Sequence, residues 1–97
     1  MICAYCQERR AVNADHVVPK SLRRKYKQHR KREARPRIPH ELLGTEPACF
    51  SCNIRKGARR LVPPSWAEKV PLLNAFFGGT PFRVWDGSLK ALREVVR

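Results

Sequence analysis

The chain has four cysteines, arranged as two C-x-x-C pairs, Cys3-Ala4-Tyr5-Cys6 and Cys49-Phe50-Ser51-Cys52. Each pair is half of a tetrahedral zinc site, and together they supply a full tetrathiolate set. Disulfides are the competing use of the same residues. No apolar leader follows Met1, so an oxidising compartment is not expected and zinc on Cys3, Cys6, Cys49 and Cys52 is. A redox C-x-x-C belongs in a thioredoxin-like βαβ context, which the sequence lacks. Between the pairs lies Asp15-His16-Val17-Val18-Pro19-Lys20-Ser21, the stretch expected to carry chemistry, and directly after them come Asn53, Arg55, Lys56 and Gly57.

At 97 residues the protein is expected to be one small domain. A chain this size buries a smaller share of its surface than a larger protein, so a metal staple adds folding free energy where it is needed. There are 21 Lys plus Arg against 8 Asp plus Glu, a net charge of +13. Charge of that size attracts nucleic acid through phosphate neutralisation and counterion release. A membrane surface is the lesser alternative. No apolar run is long enough to span a bilayer, and a soluble cytoplasmic protein is expected, in the host cytoplasm if the gene is carried by a phage.

The elements that must position these residues follow from the pattern along the chain. Val12 to Val18 reads as a short strand or hairpin arm interrupted by Pro19, which carries no N–H for a ladder. Lys20 to Arg37 holds ten of the 21 cations and one acid, Glu33. Ser21 is a candidate N-cap there, and Leu22 and Tyr26 form a thin apolar stripe, so a basic helix or arm is expected rather than a core element. Glu41 to Ala48 reads as extended, and a helix of two to three turns is expected from Cys49 to about Arg60, placing Asn53 and Lys56 on one face. Leu61-Val62-Pro63-Pro64 ends that element. Ser65-Trp66-Ala67-Glu68 has the spacing of a capping box, with a short helix to Gly78-Gly79 behind it. Phe82 to Trp85 reads as a strand, and Leu89, Leu92, Val95 and Val96 as the apolar face of a last helix.

Cys3-x-x-Cys6, Asp15-His16-Val17-Val18-Pro19-x-Ser21 and Pro47-Ala48-Cys49-x-x-Cys52-Asn53-x-x-Lys56-Gly57 together resemble the zinc-knuckle branch of the HNH endonuclease family. The resemblance covers roughly residues 1–60; beyond Arg60 the chain resembles the tails of small phage-encoded HNH proteins. It implies a small α+β fold: a ββα-metal (HNH, or His-Me finger) core stapled by the four-cysteine zinc site. A basic insertion at about 20–39 interrupts residues 1–60, and a mostly helical extension, residues 61–97, packs on the same domain. It implies His16 as general base, with Asp15 and Asn53 as ligands of a catalytic divalent ion. A phage terminase is the partner protein it suggests. The sequence departs from the family at Gly44, where the middle Asn of the motif is expected.

The implied chemistry is physically coherent. Phosphodiester hydrolysis needs a deprotonated water, neutralised phosphate charge and a stabilised leaving oxygen. Histidine has an ordinary pKa near 6.5, so a neutral His16 can accept the proton at pH 7. Oxygen ligands from Asp15 and Asn53 favour Mg2+ or Mn2+ over the softer zinc held by thiolates. Lys20, Arg23, Arg24, Arg55, Lys56, Arg59 and Arg60 are the expected contacts to DNA phosphates. The expected activity is metal-dependent hydrolysis of DNA, nicking if the protein acts as a monomer. The alternative is a non-catalytic zinc-ribbon module that binds nucleic acid within a larger assembly.

Overall fold

Strand β1 (Asn13–His16) pairs antiparallel with β2 (Thr45–Ala48), with Asn13 opposite Ala48, Asp15 opposite Glu46 and His16 opposite Thr45. The computed structural model describes residues 1–86. The expected last helix, with Leu89, Leu92, Val95 and Val96, lies outside the described residues. Pro47 sits within β2 at no cost to the ladder, because its free side carries only a carbonyl, which accepts the N–H of Ala4 at 2.8 Å. That bond and a second from Val12 N–H to the Ala48 carbonyl, 3.0 Å, lay the N-terminal knuckle along the sheet.

The strand stops at His16, short of the expected Val18 and three residues ahead of Pro19, whose extended backbone is the entry to helix α1 (Lys20–Glu33). Ser21 does not cap this helix; no side chain does. The helix closes at Ala34, which adopts a left-handed conformation with φ 54° and donates its N–H to the Arg30 carbonyl. One aromatic anchors it: Tyr26 is buried, its ring 4.9 Å from Phe76 and 5.6 Å from Phe77, and its hydroxyl donates to the Pro36 carbonyl at 2.6 Å. The thin apolar stripe therefore suffices to dock a helix that is otherwise cationic.

A 3-10 turn at His40–Leu42 returns the chain to β2, and Cys49 then caps helix α2 (Phe50–Lys56). This helix is shorter than the sequence implies, because Gly57 (φ 51°) turns the backbone out of it. Leu61–Val62 forms strand β3 rather than a simple terminator, and it pairs in parallel with β4 (Arg83–Val84) inside the segment expected to be extended. Between them lie a 3-10 helix (Pro64–Lys69) and helix α3 (Val70–Phe77), which ends at Gly78. The capping box at Ser65 and Glu68 does not form. Pro64 starts the turn with its preset φ, and Trp66 N–H bonds the Pro63 carbonyl at 2.8 Å, so Ser65 lies inside the helix instead of ahead of it.

The result is a small α+β protein with two two-stranded sheets and three α-helices among the described residues. Two apolar clusters hold it. One joins Val17, Val18 and Leu42 to Val62, Trp66, Leu73 and Phe82, so residues beyond 60 share a core with the end of β1. The other gathers Tyr5, Ala48 and Trp85 around the buried cysteines. No helix among the described residues is long and apolar enough to cross a membrane.

Candidate functional site

The two knuckles meet. The ligand atoms of Cys3, Cys6, Cys49 and Cys52 all lie within 4.8 Å of one another, with Cys6 Sγ and Cys49 Sγ 4.0 Å apart, and all four thiols are free. Tetrahedral zinc with bonds of about 2.3 Å to sulfur requires sulfur separations of about 3.8 Å, so the cluster fits a metal such as zinc. Cys49 Sγ also accepts the Cys52 N–H at 3.4 Å. Burial works against ionisation of Cys3, but backbone hydrogen bonds from Cys49, Cys6 and Tyr5 outweigh it and bring the thiol down to about 7. Burial, then the neighbouring Cys49 thiol, pushes Cys52 up. Four adjacent thiolates need a cation to coexist.

The cluster pins α2 against β1 and β2, and the consequence is a polar network beneath the sheet. Asp15 is 8% exposed. Its Oδ2 accepts the Tyr5 hydroxyl and lies 3.0 Å from Lys56 Nζ. Lys56, 1% exposed, directs its ammonium inward and donates also to the carbonyls of His16 and Val17, each at 3.1 Å. An ammonium has three N–H groups, and here each has an acceptor, which is how a lysine can be buried at all. Burial holds the Lys56 pKa below its ordinary value while Asp15 pulls it back. Burial, and then the Asp15 carboxylate, push the Tyr5 phenol far up, so it stays a neutral donor.

Lys56 is therefore not available to hold phosphate, contrary to the expectation from sequence. Arg60 donates through one terminal nitrogen to the carbonyls of Gly78 and Thr80, and its guanidinium lies 5.4 Å from the centre of the Phe82 ring, tying the chain after α3 to the end of α2. Lys20, Arg24 and Arg59 are exposed and Arg23 and Arg55 half-buried. Arg59 also bonds the Arg55 carbonyl at 3.0 Å.

Asp15 and His16 from β1 and Asn53 from α2 line one open cleft of about 310 Å³, together with Pro19, Lys20 and Gly57. A second hollow of the same size begins at His16 and continues along Lys20, Arg23, Arg24 and Lys27. A larger hollow, about 620 Å³ between Arg59, Arg60 and Arg83, has no acid, histidine or cysteine among its described lining residues. His16 Nδ1 lies 3.3 Å from the Arg23 guanidinium. A guanidinium only donates, so this contact requires a lone pair on Nδ1 and, in the neutral ring, the proton on Nε2.

Gly44, at the position of the expected Asn, has a steric role. A Cβ there would lie 3.0 Å from Cζ2 of Trp66, whose indole N–H is fixed by Glu46 Oε1 at 2.9 Å. Sequence reasoning missed Tyr5 and Trp66 as residues of this region. Tyr5 had a local signal, an aromatic between two metal ligands; Trp66 had none. No protein-family model, curated protein or solved structure matches the chain.

Proposed function

We propose that the protein is a metal-dependent endonuclease of the HNH type that hydrolyses DNA phosphodiester bonds. The observation that carries this reading is the shared cleft of Asp15, His16 and Asn53, formed where a strand pair and the following helix are pinned by four cysteines. Zinc on the cysteines is structural in this reading. Asp15 and Asn53 hold Mg2+ or Mn2+, which when bound supplies Lewis acidity toward the scissile phosphate and its leaving 3′ oxygen. The Tyr5 hydroxyl and the Lys56 ammonium both meet Oδ2 of Asp15, so Oδ1 would be the oxygen offered to the ion. Tyr5 and Lys56 hold that carboxylate in place and Lys56 also fixes the backbone of His16.

His16 takes the proton from the attacking water. In the free protein its Nδ1 faces Arg23; a phosphate that draws the guanidinium away uncovers that lone pair. The new bond joins the water oxygen to phosphorus, the bond to the 3′ oxygen breaks, that oxygen takes a proton from solvent water, and the products are a 5′-phosphate and a 3′-hydroxyl. One such site cuts one strand. A phage terminase as partner rests on the resemblance of the residues after Arg60 alone.

A second reading, a zinc-stapled module that binds nucleic acid without cutting it, is favoured by one observation: Gly44, packed against Trp66, offers no side chain to orient His16. Supercoiled plasmid incubated with the protein and Mg2+ or Mn2+, beside His16→Ala, separates the two. Nicking by the wild type and not by the variant is expected; equal activity sinks the role of His16, and intact plasmid throughout leaves the binding module ahead.

A further inference from the structure

Helix α1 divides into two faces. Leu22, Tyr26, His29 and Glu33 turn toward one side, where they share a hollow with Phe77. Lys20, Arg23, Arg24, Lys27, Arg30 and Lys31 fall within about a third of the circumference on the other side, at about 3.6 residues per turn. No carboxylate shares that cationic face; the helix's one acid, Glu33, lies on the other side and pairs with Arg35 at 2.6 Å. The stripe runs about 16 Å from Lys20 to Lys31 at about 1.5 Å per residue. Its N-terminal end opens into the cleft, since His16 and Lys20 line both hollows.

We infer that this face of α1 is a docking surface for the phosphate backbone of duplex DNA, delivering one strand to the Asp15–His16–Asn53 cleft. It rests on the nucleic-acid partner of the proposed function and does not require cleavage. Duplex is favoured over single strands because single-strand grooves interleave cations with aromatic platforms for unstacked bases. The one aromatic of α1, Tyr26, is buried between the helix and Phe76 and Phe77. The remaining side chains of the stripe are guanidinium and ammonium groups, which neutralise phosphates and position a duplex without reading its bases. The rigid span also explains why so little apolar surface is spent on the helix: it needs to be held, not covered.

The test is the salt dependence of binding, measured on His16→Ala protein without added Mg2+ or Mn2+, so that nothing is cut. Six neutralised phosphates give a slope of log K against log salt of about −5. Arg24→Gln/Lys27→Gln/Lys31→Gln should flatten the slope by about 3, since each lost phosphate contact removes about one. All three residues are exposed, and Arg24→Lys/Lys27→Arg/Lys31→Arg, which keeps the charge, should retain the slope. Arg9→Gln/Arg10→Gln/Lys25→Gln removes the same charge elsewhere and should leave the slope nearly unchanged. Equal flattening by both Gln triples would show net charge rather than a surface, and overturn the inference. So would tighter binding of a single strand, or of duplex RNA, than of duplex DNA of the same length. A protein that binds duplex DNA in this way but never nicks plasmid keeps this surface and loses the nuclease reading.

Discussion

The ammonium of Lys56 lies 3.0 Å from Oδ2 of Asp15, with 1% and 9% of the two side chains exposed. Breaking such a pair from one side strands a charge in the interior, which costs about 3–5 kcal/mol. Lys56→Met keeps the stem and removes the charge, and should lower the unfolding free energy in urea by that amount. Asp15→Asn/Lys56→Met should recover part of the loss because neither residue is then charged. An unchanged urea midpoint for Lys56→Met would show that the pair does not hold β1 to α2.

Metal removal should have two separate effects. The thiol cluster is expected to carry about one zinc per chain, and a strong chelator should abolish cooperative unfolding because zinc binding supplies folding free energy to a small domain. Withholding Mg2+ and Mn2+ should stop cleavage and leave circular dichroism unchanged. If loss of fold and loss of activity follow the same metal equivalent in a titration, there is one site and not two.

Gly44→Ala should destabilise the protein although alanine is the smallest departure from glycine. Its Cβ meets the Trp66 ring at 3.0 Å, and that ring is buried and fastened to Glu46. Overpacking of this kind costs about 1–3 kcal/mol. A domain of this size loses about 4–8 °C in Tm per kcal/mol, so calorimetry resolves the effect. Gly44→Asn should be no better, and should not raise cleavage.

Asn53→Asp tests the second metal ligand. A carboxylate binds a hard cation more tightly than a neutral amide, so the Mn2+ concentration for half-maximal nicking should fall about tenfold, equivalent to about 1.4 kcal/mol. A midpoint that does not move would remove Asn53 from the ion.

The cysteine cluster could be read from sequence because its signal is local: two short spacings and no other cysteine. The cleft could be read in outline for a similar reason, since Asp15 and His16 are adjacent and Asn53 follows Cys52. The buried role of Lys56 could not. Its partners are carbonyls 39 and 40 positions away, and a lysine between Arg55 and the Arg59-Arg60 pair reads as one more solvated charge. The contacts of Arg60 with the carbonyls of Gly78 and Thr80, 18 and 20 positions away, were hidden for the same reason. The meeting of Gly44 with Trp66 depends on how two distant segments pack. At Ser65 a local rule lost to another local rule, the start of the turn at Pro64.

The chain leaves β1 at His16 and re-enters β2 at Thr45, and those two residues face each other across the sheet. Everything between them is an excursion that begins and ends on one rung. Val17, Val18 and Leu42 near its two ends belong to the core and Tyr26 docks its helix on Phe76 and Phe77, so an arm of another length must keep those four side chains to leave Asp15, Asn53 and the cysteines in place, as a tool head is changed on a fixed handle. On such a scaffold, relatives that acquire new targets would be expected to differ most between Pro19 and Pro39, and a graft of a different arm at those two prolines offers a direct route to retargeting.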